Sequence, residues 1–406
     1  MFQVLKRFVP ACVFVALMPF PAFVFGQSSG PASVAFQIDP AHTGTTQFTP
    51  TFHTPLGRLW QVDLGAEVSY PLIADGMVFV TYANPVSYGT NVIALDESTG
   101  QVRWGPVPIQ GTYFWSNAAY DDGRIYVVNF DGLMQAFNAG DGSLAWSVLL
   151  PYQYAFTSPP TAKDGMVYVG GAGEGGTVYA LDDSNGALLW TEAVENGDSS
   201  SPALFEEGVY VSYSCPQVYS FDALTGATLW YYSGPCEGGG GRTPVARDGK
   251  LYVRDEVSTP SGYIFDTATS DLLGRFDAQS VPAIGPELGF FLQEGTLRGI
   301  DLASNDVQWS FAGDGHIEAA PIVIDDTVLI GSASGNLYAL NAQSGTVTWQ
   351  TQVGAPILGP DEYNAILRTG LGAGDGIVVV PASNLLTAYR PVPESIFADG
   401  FEAAQP

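Results

Sequence analysis

Short apolar runs recur along the chain between turns rich in Gly, Asp and Asn, and no stretch shows the three-and-four apolar spacing of an amphipathic helix. The clearest unit runs from Val92 to Trp104: an apolar strand ending at Asp96, a polar turn closed by Gly100, and a second strand ending in Trp. The same pattern returns at Ala136 to Trp146, Ala180 to Trp190, Ser220 to Trp230 and Ala339 to Trp349. Two copies are worn. Ile264 to Gly274 keeps Asp266 without the turn Gly or the Trp, and Gly299 to Trp309 carries Asn305 where the Gly stands elsewhere, a residue that tolerates the left-handed backbone. Ahead of each unit comes a turn and another apolar strand, as in Asp75-Gly76 to Val80, Asp122-Gly123 to Val128 and Asp164-Gly165 to Val169, eight times in all. Upstream of most of these lies a brief apolar segment with a proline (Pro71, Pro160, Pro244, Pro321), which suits a short inner strand where a missing N–H is tolerated.

A period of about 40 residues carrying four short strands predicts small antiparallel sheets, each unable to bury both of its faces alone. Eight of them packed face to face around an axis solve that problem, so the expected fold is all-β: an eight-bladed β-propeller of four-stranded antiparallel blades. The last unit ends near Tyr389 and Arg390 without an outer strand, whereas Leu56 to Asp63, with Trp60 inside it, is a strand without a blade. The N-terminal strand is therefore expected to complete the C-terminal blade. Ala94, Asp96, Thr99, Gly100 and Trp104, with their counterparts, resemble the Trp-docking motif of pyrroloquinoline-quinone-like (PQQ-like) repeats, and Ile38 to Gly44 resembles the lead-in of such proteins. Trp60, Trp104, Trp146, Trp190, Trp230, Trp309 and Trp349 are accordingly read as blade-to-blade packing, each offering a broad apolar face and one N–H donor.

The ends and the composition bound the setting. Lys6 and Arg7 precede an apolar run from Phe8 to Phe25 broken by Pro10, Pro19 and Pro21, which reads as a signal peptide over 1–26 rather than a spanning helix of about 20 apolar residues. A lead-in over 27–55, the propeller over 56–391 and a tail over 392–406 follow. The tail's Ile396-Phe397 and Gly400-Phe401-Glu402 resemble a short ending of exported proteins in some Gram-negative bacteria. The chain holds 14 basic and 41 acidic residues, so it repels phosphate backbones and nucleic acid is not an expected partner. An exported monomer, in the periplasm, at the cell surface or in the medium, with no membrane span, is the expectation. Cys215 and Cys236, close in sequence, are expected to be bridged there across a loop of about 20 residues.

Candidate chemistry is thin. No His or Cys spacing suggests zinc, and no nucleophile elbow or phosphate loop is present. The repeat resembles that of quinoprotein dehydrogenases, which would imply PQQ and calcium on the axis, but those enzymes are longer and many use adjacent cysteines, which this chain lacks. No catalytic residue, metal site or cofactor is predicted, and a PQQ- and calcium-dependent dehydrogenase-like quinoprotein stays as the alternative that the resemblance implies. The repeat also resembles the eight-bladed lipoprotein of outer-membrane protein assembly, which implies a binding or scaffold role with a protein partner; an adhesive, glycan-binding propeller is a further alternative. A ligand site would form where loops between blades, and turns between second and third strands, gather on one face. The residues there that break the repeat are Trp115, Asn117, Asn129, Asp131, Glu174, Arg242, Glu256, His316, Glu318 and Tyr363.

Overall fold

The computed structural model describes residues 32–213, 215–234, 241–255, 262–364 and 366–393. Among them the chain forms eight blades in sequence order, spanning 72–109, 116–149, 161–194, 203–233, 245–276, 283–311, 322–352 and 372–391. Blade 1 shows the build: Leu72–Ala74 innermost, then Met77–Ala83, Thr90–Asp96 and Val102–Ile109 outermost, each antiparallel to the one before. The second and third strands are buried on both faces, while the outermost alternates, with Trp104 buried and its neighbours exposed. Blade 8 takes its outer strand from the other end of the sequence, since Leu56–Asp63 pairs antiparallel with Leu385–Pro391 and closes the ring without a covalent link.

Local chemistry explains the turns. At Asp75-Gly76, Asp122-Gly123, Asp164-Gly165, Asp248-Gly249 and Asp375-Gly376 both central residues have positive φ, the type I′ geometry that matches strand twist in a two-residue hairpin. In the outer turn of blade 1 the Asp96 carboxylate accepts the amides of Ser98 and Thr99. Gly226 has φ +74°, and the Trp190 ring of the preceding blade lies against it so closely that a Cβ there would stand 2.8 Å from the ring. The indole N–H of Trp190 then donates to the Ala223 carbonyl at 2.9 Å. Trp60, Trp104, Trp146, Trp230 and Trp309 likewise donate to a carbonyl in the turn of the next blade. The worn turns keep the geometry, with Ser270 (φ 64°) and Asn305 (φ 62°) left-handed where Gly stands elsewhere. Where Gly274 replaces Trp, Phe276 packs on Phe291 (5.4 Å between centroids) and fills the interface between blades 5 and 6.

The lead-in closes one end of the axis. Ser33 exchanges two backbone bonds with Ile73 of blade 1, and the carbonyls of Val34, Pro40, Ala41, Thr43 and Gly44 accept amides from the inner strands of blades 2, 4, 5, 6 and 7. Thr45–Thr46 adds a parallel strand to blade 7. His42, fully buried, sits between the carbonyls of Phe36 (Nδ1, 2.7 Å) and Pro202 (Nε2, 3.1 Å). Burial pushes its pKa down to about 4, against those two carbonyls, which favour the charged ring. The ring is therefore neutral at ordinary pH, and its single N–H can donate to only one of the two carbonyls.

Candidate functional site

Antiparallel order puts the turns between second and third strands, and the loops between blades, on the face opposite the docked Trp turns. The longest of these loops, between Gln352 and Gly372, reaches across the axis. It carries Glu362 and Arg368, both about 1 % exposed, to residues of blades 4 and 5. Glu362 Oε1 accepts the amide of Thr243 at 2.9 Å, and Oε2 stands 2.5 Å from Nη2 of Arg254. Arg242 Nη1 and Arg368 Nη1 lie 3.9 and 3.8 Å from the same carboxylate. Arg368 Nη1 also donates to the Ser199 carbonyl (2.7 Å) and to Thr243 Oγ1 (3.1 Å), and its guanidinium lies over the Phe36 ring of the lead-in at 5.4 Å. The axis is thus spanned from both ends by the chain itself, by the lead-in from one side and by the long loop from the other.

The electrostatics are set by burial and by excess cation. Burial would raise the Glu362 pKa, but Arg254, Arg368 and Arg242 outweigh it and hold the carboxyl down to about 2. Burial lowers Arg254 to about 10, opposed by Glu362 and assisted by the other two guanidiniums. Nε and Nη1 of Arg254, and Nε of Arg242, are buried with no hydrogen-bond partner among the described residues. Such an arrangement repels a divalent cation, because a carboxylate ringed by three guanidiniums leaves no net negative charge to hold one. The axial donor set does not fit calcium, and among the described residues no group of three or more His, Cys, Asp or Glu could hold a metal.

Of the ten residues expected at a ligand face, nine are described, and among these only Arg242 joins this cluster. Trp115 is fully buried in the core between blades 2 and 3. Asn117, on an inner strand, is fully buried with both amide atoms unpartnered among the described residues. Asn129 clamps its own turn, donating to the Gln110 carbonyl and accepting the Leu133 amide, and Asp131 accepts the Thr112 amide at 2.8 Å. Glu174 is exposed in a turn tied to Gln153. His316 and Glu318 line one surface cavity between blades 6 and 7, and Tyr363 is 70 % exposed beside Glu362. Glu256 lies outside the described residues, as do Cys236 and the tail motif.

Sequence reading missed Glu362, Arg254 and Arg368, yet a signal for one of them was present. In register, Arg254 stands where the other blades place Thr81, Val128, Gly170, Ser212, Leu292, Gly331 and Pro381. Arg242, twelve positions earlier, stands where other blades have Ser69, Ser158 and Ser200, whose hydroxyls accept the amides of Thr81, Gly170 and Ser212. In blade 5 two arginines stand where blades 1, 3 and 4 pair a serine hydroxyl with an amide.

Ring closure by the N-terminal strand, Trp docking and an axis crossed by the lead-in and the long loop define an eight-bladed propeller of PQQ-like repeats. Residues 57–155, 151–275 and 293–391 match the profile of the family described as outer membrane protein assembly factor BamB, and the chain belongs to that family. It is 27% identical over 341 residues to that factor from Moranella endobia (strain PCIT), covering 76% of this chain and 81% of the relative. It is 25% identical over 403 residues to the quinohemoprotein alcohol dehydrogenase ADH-IIG of Pseudomonas putida, covering 84% of this chain but only 52% of that enzyme. Among solved structures, a europium-containing methanol dehydrogenase superposes with a TM-score of 0.68 at 15% identity, over 83% of this chain and 87% of the other; this likeness is one of fold. No helix among the described residues is long and apolar enough to cross a membrane.

Proposed function

We propose that the protein is an exported, non-catalytic binding scaffold that grips a protein partner with its loop face. One observation carries this reading. Of the seven large aromatic side chains that are well exposed among the described residues, six (Tyr88, Tyr113, Phe114, Tyr152, Tyr154 and Tyr363) lie on the loop face of blades 8, 1, 2 and 3. The exposed aliphatics, by contrast, are mostly spread along the outer strands at the blade period, such as Leu144, Leu188, Leu229 and Leu272. Exposed aromatics gathered on one face supply the anchors that interfaces use, with large apolar area at little entropic cost. Relatives named for outer membrane protein assembly support a partner in the same class of process. The axial charge, unsuited to calcium, weighs against the dehydrogenase alternative.

A photocrosslinking residue placed at Tyr154, Tyr363 or, as a control, Leu229 in the native host tests the reading. Discrete protein adducts from the first two positions and none from the third are expected. Equal labelling at Leu229, or no adduct at all, would sink the proposal. Titration with pyrroloquinoline quinone and calcium is expected to leave the melting temperature unchanged, and a saturable rise would move the reading to the chemistry of the enzyme relatives.

A further inference from the structure

The axial cluster is overcharged for its depth. Three guanidiniums face a single buried carboxylate, in a chain whose formal charge is -27. Asp361, which accepts the amides of Tyr363 and Asn364, acts on Arg368, whereas the charged groups that act on Arg254 are Glu362 and the two other arginines. Arg254 is 3 % exposed, and its Nε and Nη1, like Nε of Arg242, donate to nothing among the described residues. A buried donor left unmade costs its full desolvation, more so on a charged group, and buried charges are ordinarily paired. The two arginines also occupy positions that in blades 1, 3 and 4 are closed by a serine hydroxyl accepting an amide, so packing of the repeat does not require them. Arg242, a quarter exposed, is where the cluster meets the loop face.

We propose that the axial cluster is a binding site for a small oxyanion, a carboxylate or phosphate group, held by Arg254 and Arg242 with Arg368 and Glu362 fixing the arginines in place. Arg254 supplies the buried donors and Arg242 the entrance. Glu362 keeps the guanidiniums from separating, so the site is preformed rather than assembled by its ligand. The site adjoins the aromatic arc, since Tyr363 follows Glu362 in the long loop, but its test needs no protein partner.

The test uses the full chain, with inorganic phosphate and succinate as probes, each titrated against chloride at equal ionic strength and read by melting temperature and calorimetry. A saturable rise with phosphate, with succinate or with both is expected, and which probe acts assigns the oxyanion class. The R242Q variant is expected to weaken binding roughly tenfold or more, as for loss of a charge-assisted hydrogen bond. R275Q, which alters an exposed arginine stacked on Tyr263, should leave affinity unchanged. R254Q should abolish binding, and if it does not fold, R242Q decides. No saturable response to either probe in the folded wild type, or equal affinity in R242Q, would overturn the proposal.

Discussion

Replacing Trp190 by Ala separates blade docking from mere burial, because the same repeat position at Trp349 has a different environment. Trp190 is 8 % exposed, donates to Ala223, lies on Gly226, and packs beside Tyr168 and Phe221 at 5.8 and 6.2 Å. Its removal forfeits an indole's buried area and leaves the Ala223 carbonyl without that donor, in all about 3–5 kcal/mol. Trp349 is half-buried and meets Tyr389 edge-on at 5.5 Å. It has no turn to dock on, because the third strand of blade 8 ends at Pro391 and the fourth begins at Leu56, with no hairpin between them. Trp349→Ala is expected to cost only about 1–2 kcal/mol, in line with the smaller area removed from water. Urea unfolding of both variants, with the slope checked for constancy, gives the comparison. Equal losses at the two positions would refute the docking account, since burial and the turn contact are what distinguish them.

Deleting residues 27–63 removes both the closing strand and the axial lead-in, and a single cooperative thermal transition should be lost; a mild local effect, seen by hydrogen exchange in blade 8 alone, would contradict closure. Acid should weaken the fold through His42. Its folded pKa of about 4 lies below the unfolded value of 6.5, so between these values the unfolded chain binds the extra proton. Stability is fully present above about pH 6.5 and falls by about 3 kcal/mol toward pH 4. A His42→Gln variant should flatten that slope, and an unchanged slope would count against His42 as its source. Peptide mapping without reductant should recover Cys215 joined to Cys236, with two free thiols in the native protein as the contrary result.

The repeat was legible because its information is local. An Asp-Gly pair sets a hairpin, and Asp96 with Gly100 sets an outer turn, through bonds spanning a few residues, so each unit announces its own strands. Trp60 on an unpartnered strand pointed to closure for a similar reason: an unpaired strand and an incomplete blade need each other. The lead-in resembled a familiar segment, but nothing in Ser33 to Thr46 states that its carbonyls take amides from six blades in turn.

The site was harder to see. Trp115, Asn129 and Asp131 break the repeat as visibly as Arg242 does, yet they serve core packing and turn closure, and composition does not separate these uses. Arg254 could have been found by aligning the blades residue by residue. Glu362 could not, because its partners Thr243 and Arg254 lie on other blades more than a hundred positions away, and only the ring brings them together. The sequence by itself determined the strands, their turns and the count of blades, since these depend on near neighbours and on a period that repeats. The tertiary structure decided that the axis is spanned by the lead-in and the long loop and that three arginines meet one carboxylate there, because charge at a depth depends on which distant segments the closed ring stacks over one another.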